Sequence, residues 1–184
     1  MFAQPIGVGG DVAPPNELVA LSWLESTCNA IRLRIAGLAP DQLYRGTIDQ
    51  LSIVEEIALA RDREHAYLSA FQRALTESHP RLVEPQPGPP FLDREFTDDL
   101  AEFFDLRRAT LDILRTFDAE WNTTVTLPDG KQATLRDLAI RLAQLDKRML
   151  RTISEQRRGF LRTTGVDELR DPGVAGKLGP NLGQ

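Results

Sequence analysis

The chain has 184 residues, a single cysteine and a net charge of −5. That length and a 41% hydrophobic content suit one globular domain with its own core, and the lone cysteine excludes a disulfide framework or a thiolate metal cluster. The negative balance offers no broad footprint for nucleic acid, and no apolar run approaches the roughly 18 residues of a membrane span.

Residues 1–15, MFAQPIGVGGDVAPP, hold three prolines and three glycines without a period, which reads as a flexible arm. They lack the basic start and continuous apolar core of a secretory signal, so a cytoplasmic location is expected. Gly7-Val8-Gly9-Gly10 has the composition of a phosphate loop. No strand pattern precedes it and Pro14-Pro15 follows, which argues against nucleotide binding.

The first helix is expected at about Glu17–Gly37, capped by Asn16, with Leu21, Leu24, Cys28, Ile31, Ile35 and Leu38 stepping by three and four. Cys28 on that stripe reads as a small core hydrophobe rather than a reactive thiol. The linker APDQLYRGTIDQ leads to a second helix at about Leu51–Glu77, where Ser52 and Glu55 form a capping-box pattern. Its stripe runs Ile53, Ile57, Ala60, Glu64, Leu68, Phe71, Leu75, with Leu59 at one flank, so one charge, Glu64, falls among apolar residues. Residues 78–96 contain five prolines and cannot stay helical; a connection that long is expected to cross the length of the domain.

A third helix is expected at about Asp98–Trp121, carrying Leu100, Phe103, Phe104, Arg107, Leu111, Leu114, Phe117 and Trp121, again with one charge, Arg107, on the stripe. Asn122–Gln132 alternates Thr-Val-Thr-Leu before Pro-Asp-Gly, the mark of a short β-hairpin. The fourth helix, Thr134–Arg158, places Leu135, Leu138, Leu142, Leu145, Met149 and Ile153 on one face, with Thr134 and Asp137 as a capping pattern and Gly159 as its terminator. Asp146 and Glu155 read as lying off that seam. The tail beyond holds at most one helical turn, at Val166–Arg170, and no separate domain. The fold class is therefore all-α: a four-helix bundle over 16–158 with one Pro-rich crossover and a hairpin excursion before the last helix, flanked by a flexible arm (1–15) and a Gly/Pro-rich tail (159–184).

Several of these segments together resemble the DinB/YfiT-like superfamily of bacterial four-helix-bundle proteins. The first half of the likeness is Gly37-Leu38-Ala39-Pro40-Asp41-Gln42-Leu43 followed by Leu51-Ser52-Ile53-Val54-Glu55-Glu56 and its continuation to Glu64. The second is Arg107, Leu111, Leu114 and Trp121, then Pro128-Asp129-Gly130-Lys131-Gln132-Ala133-Thr134-Leu135, ending at Leu145-Asp146-Lys147-Arg148-Met149. The resemblance implies a site in which three histidines, one from helix two and two a turn apart on helix four, hold a divalent metal for thiol-dependent transfer or isomerisation. At the matching positions this chain has Leu59, Leu145 and Met149, which cannot ligate such an ion. His65 and His79 are the only histidines, so no shift of register restores three ligands; no metal and no cofactor are expected.

Asp62 and His65 have the spacing of a di-iron pair but lack the further inward carboxylates such a centre needs, and His65 reads as a solvated residue on a face with Arg61 and Asp62. His79, beside Pro80, has no evident partner residues. Glu64 and Arg107 form the remaining polar constellation, read as an inter-helix ion pair or as the lining of a ligand cavity with Tyr44 and Trp23 at its edge. The arginines of helices three and four, such as Arg108, Arg136 and Arg148, are interleaved with acids and read as a solvated face. The expectation is a non-catalytic, metal-free module that binds a small, anionic ligand or a protein and forms a homodimer, with no nucleic acid and no membrane. The alternatives are a thiol-dependent enzyme using Glu64 as base and Arg107 as clamp in an open cavity, and a helical scaffold acting through its arms.

Overall fold

The computed structural model describes residues 17–47, 50–85 and 95–163. The N-terminal arm, Asn16, the Gly7–Gly10 segment and the tail with Val166–Arg170 lie outside these residues. The long helices are α1 (Glu17–Ile35), α3 (Ile53–Ala74), α4 (Phe96–Leu114) and α5 (Leu135–Thr163), with a short α2 (Pro40–Leu43) in the first linker. A 3-10 turn (Ala119–Asn122) and the hairpin strands β1 (Thr124–Thr126) and β2 (Gln132–Thr134) separate α4 from α5. This is the all-α four-helix bundle that the apolar stripes predict.

Local chemistry sets the helix ends. Ser52 caps α3, its hydroxyl accepting from the Glu55 amide while Glu55 accepts from the Ser52 amide at 2.6 Å. Thr134 and Asp137 make the same reciprocal pair at the start of α5, at 3.1 and 2.9 Å. Past the end of α1, Gly37 takes φ 77°, and Gly130 takes φ 80° in the hairpin turn; both lie in the left-handed region that glycine enters without strain.

Three expected boundaries move. Helix α5 runs through Gly159 to Thr163, because Phe160 packs against the core and Arg157 donates to the Leu33 and Arg34 carbonyls at the end of α1, at 2.5 and 2.8 Å. Gly159 is therefore a helix-interior glycine, an arrangement about 1 kcal/mol poorer than alanine. Helix α4 stops at Leu114, and its expected last turns are instead a loop and the 3-10 turn. Phe117 and Trp121 are buried there by an aromatic stack with Phe71, at ring separations of 6.2 and 5.5 Å, so their helical spacing reflects burial without a helix. Helix α3 closes at Ala74, short of Glu77.

Named pairs fix the helix directions. Helices α1 and α5 run parallel, since Glu17 meets Arg136, Thr27 meets Asp146 and Arg34 meets Ser154. Helices α3 and α4 also run parallel, since Arg61 meets Asp99, His65 meets Glu102 and Phe71 meets Phe117. Across the two pairs the helices are antiparallel: Glu25 meets Arg115 and Arg32 lies over Phe104, while Leu51 meets Gln156. The order is up-down-down-up. Parallel neighbours such as α3 and α4 cannot be joined by a tight turn, so the Pro-rich connection must travel back along the length of α3, about 33 Å at 1.5 Å per residue. Its first part is anchored to the hairpin by Pro80 and Leu82 on either side of Thr126, and Leu82 is fully buried.

The apolar core is divided. One cluster gathers Leu24, Tyr67, Phe71, Leu114, Trp121, Leu135 and Leu138; the other gathers Ile31, Ile53, Ile57, Phe103, Met149 and Ile153. Between them lies a layer of charge.

Candidate functional site

Thr27 of α1, Glu64 of α3, Arg107 of α4 and Asp146 of α5 meet at mid-bundle, each long helix supplying one side chain. Their exposures are 0, 0, 1 and 5%, so the cluster is sealed from solvent. Arg107 grips Glu64 in a fork, Nε to Oε1 at 3.0 Å and Nη2 to Oε2 at 2.8 Å. It reaches Asp146 with Nη1 to Oδ2 at 2.5 Å and Nη2 to Oδ1 at 3.0 Å, and gives the last Nη1 proton to the Leu24 carbonyl at 3.1 Å. All the N–H donors of the guanidinium are thus engaged. The Thr27 hydroxyl lies 2.7 Å from Asp146 Oδ2 and 3.0 Å from the Trp23 carbonyl; its one proton favours the charged acceptor.

Burial by itself would lower the Arg107 pKa. The charges of Glu64 and Asp146 and their hydrogen bonds outweigh it and hold the guanidinium above its ordinary range. Arg107 stays charged, and its ring of acceptors is complete. Its guanidinium also lies 5.1 Å from the Phe103 ring centre, at the border of the second core cluster.

The structure brings Glu64 and Arg107 together but leaves Tyr44 elsewhere. Tyr44 is half exposed at the C-cap of α2, and the adjacent Arg45 lies over Phe160, about 21 Å along α5 from Asp146. Trp23 faces outward, with Lys147 Nζ 5.1 Å from its ring. Leu145 and Met149 do converge, lining with Ala60, Arg63, Leu142 and Asp146 a hollow of ≈10 Å³. Leu59 is half-buried and does not line it; the α3 residues that do are Ala60 and Arg63. His65 is exposed and bonded to Glu102 at 3.1 Å, and His79 is exposed in the turn after α3. Arg61, expected on a solvated face beside His65, is instead buried against Asp99 and also holds Asp62. Cys28 is half-buried near the ion layer, where burial pushes its thiol pKa up. On the basic surface Arg108 pairs with Asp105, Arg136 with Glu17 and Arg151 with Glu155, and Arg148 is exposed.

Asp146 is the residue that the sequence reading misses. It was expected off the seam of helix four, yet it sits at the centre of the buried face. The signal was present: Asp146 follows Leu142 by four and precedes Met149 by three, the same spacing that marks the stripe. The buried face of α5 includes Ala139, Ala143, Asp146 and Leu150 as well as Leu138, Leu142 and Met149, a broader band than the seam traced through Leu145. Thr27 was missed for the same reason, a polar residue at a core position.

No family model matches the sequence, and no curated protein matches it. Among solved structures the chain is similar to YfiT from Bacillus subtilis, a probable metal-dependent hydrolase with an unusual four-helix bundle topology. The TM-score is 0.69 at 15% identity, covering 86% of this chain and 93% of that one. This chain has the DinB/YfiT-like fold. At that identity the likeness is one of architecture.

The residues at mid-bundle do not fit the three-histidine metal site that the sequence resemblance implies. Glu64 and Asp146 have their oxygens turned to Arg107, and Leu145 and Met149 are apolar. The hollow beside them has room for about one water. Among the described residues no group of three or more His, Cys, Asp or Glu side chains is placed to hold a metal ion.

Proposed function

We propose that this chain is a metal-free, non-catalytic bundle of the DinB/YfiT-like fold that works as a ligand-binding or protein-interaction module. The observation that carries this reading is the closure of Arg107: every donor of its guanidinium is spent on Glu64, Asp146 and the Leu24 carbonyl, in a site 1% exposed. A catalytic cavity needs a base or an anion clamp free to meet substrate. Here the candidate base and the candidate clamp neutralise one another, so the enzyme alternative has neither group. Any ligand must be held away from the bundle centre.

A cytoplasmic homodimer associating through bundle helices belongs to the same proposal. Leu18, Trp23 and Leu33, exposed by 69, 40 and 64% along α1, support a helix that faces a partner. The deciding experiment is elemental analysis of natively purified protein before and after incubation with zinc, nickel and iron. We expect metal well below one equivalent per chain and no hydrolase activity dependent on added metal. Stoichiometric metal retained through gel filtration would overturn the reading.

A further inference from the structure

Helices α4 and α5 turn charge to solvent, with Asp105, Arg108 and Asp112 exposed on the first and Arg148, Arg151 and Arg158 on the second. Helix α1 does not. Along its outward side Leu18, Ser22, Ser26, Asn29 and Leu33 are exposed over about 22 Å of helix with no charge among them. In a chain that is 27% charged, such depletion marks the middle of an interface rather than a solvated face. The charged neighbours lean aside, Glu25 to Arg115 at 2.9 Å and Arg32 over the Phe104 ring.

Beside this stripe, between α1 and α5, lies an apolar pocket of ≈150 Å³ lined by Ala20, Trp23, Ile140, Ala143, Gln144 and Lys147. The two alanines leave the space and the Trp23 ring walls it. It is smaller than the usual small-molecule site and suits a single aliphatic side chain. We propose that the pocket receives Leu33 of a second copy of this chain, in a two-fold pair of antiparallel α1 helices.

Leu33 is 64% exposed and stands about 17 Å along α1 from the pocket. A two-fold axis crossing α1 near Thr27 carries each Leu33 to the level of Ala20 and Trp23 on the other copy. One symmetric contact then fills both pockets and covers both leucines, as a self-complementary interface requires. The same register sets the Asn29 amide beside the Ser26 hydroxyl of the second copy. Charge favours this direction: α1 and α5 run parallel, so their dipoles add within one copy, and an antiparallel pair opposes them where a parallel pair would align them. A face about 28 Å long and two helices wide covers roughly 1,100 Å² over both copies, enough for a specific interface.

This placement deepens the homodimer reading above and rests on it. It is tested by sedimentation equilibrium of the full chain, with and without Leu33→Glu, and by disulfide trapping in a Cys28→Ser background. The parent should be a dimer. Leu33→Glu, at a position the single bundle leaves exposed, should weaken association at least tenfold with unchanged helical content. Under mild oxidation a mixture of the Leu33→Cys and Gln144→Cys variants should give a covalent dimer, and neither variant alone should do so. A dimer indifferent to Leu33→Glu, or Leu33→Cys linking to itself as readily as the mixture links, would overturn this placement and leave the homodimer standing. A parent that stays monomeric at all concentrations would overturn both, leaving the pocket to a ligand or to another protein.

Discussion

Replacing Arg107 with methionine keeps most of the side-chain volume and removes the charge on which two buried carboxylates depend. Glu64 at 0% and Asp146 at 5% exposure would be left without a counter-ion and too deep for water to reach freely. Removing one partner of a buried ion pair costs about 3–5 kcal/mol, and here one arginine serves two acids, so a loss of about 4 kcal/mol or more is expected. For a urea slope of about 2 kcal/mol per molar, the midpoint of unfolding should fall by about 2 M. The quadruple variant Thr27→Val, Glu64→Leu, Arg107→Met, Asp146→Leu replaces the whole layer with apolar groups and should recover most of the loss or exceed the parent. Equilibrium urea unfolding of the parent, the single and the quadruple variants decides the matter. A loss below about 1 kcal/mol in Arg107→Met, or a quadruple variant as unstable as the single one, would refute the view that Arg107 stabilises by neutralising Glu64 and Asp146.

Three further outcomes follow from the same coordinates. Ser52→Ala removes the hydroxyl that accepts from the Glu55 amide and leaves the Ser52 backbone N–H bonded to the Glu55 carboxylate, so unfolding free energy should drop by about 1 kcal/mol with no change in slope. Cys28 should react with a disulfide reagent more slowly than free cysteine across pH 7–9, because burial raises its pKa and keeps the thiolate scarce; a rate equal to free thiol would contradict its placement. Ala60→His with Leu145→His and Met149→His converts the residues around the small hollow into an imidazole cluster and should confer zinc binding by titration; the variant with Leu59→His in place of Ala60→His should bind more weakly, since Leu59 does not line that hollow.

Much of this architecture is local and therefore legible in the chain. Apolar residues at steps of three and four must share a face, whatever that face later meets, so the four long helices and their stripes can be read directly. The caps at Ser52 and Thr134 and the turn at Gly130 depend on residues within three positions of one another. The prolines between α3 and α4 forbid a helix, and a chain that needs so long a return implies parallel neighbours. Glu64 and Arg107 were visible as charges standing on apolar stripes.

What the sequence could not decide is which acid completes the layer and where each stripe stops. Asp146 is hydrophilic by type, and only the approach of three other helices, bringing Arg107 and Thr27 within hydrogen-bond reach, makes its burial favourable. Phe117 and Trp121 keep helical spacing without a helix because their stack with Phe71 holds them inside. Helix α5 passes Gly159 because contacts from Phe160 and Arg157 to distant segments outweigh the weak preference of one glycine. Periodicity and capping are set by neighbours along the chain; the pairing of buried charges is set by neighbours that only the folded bundle brings together.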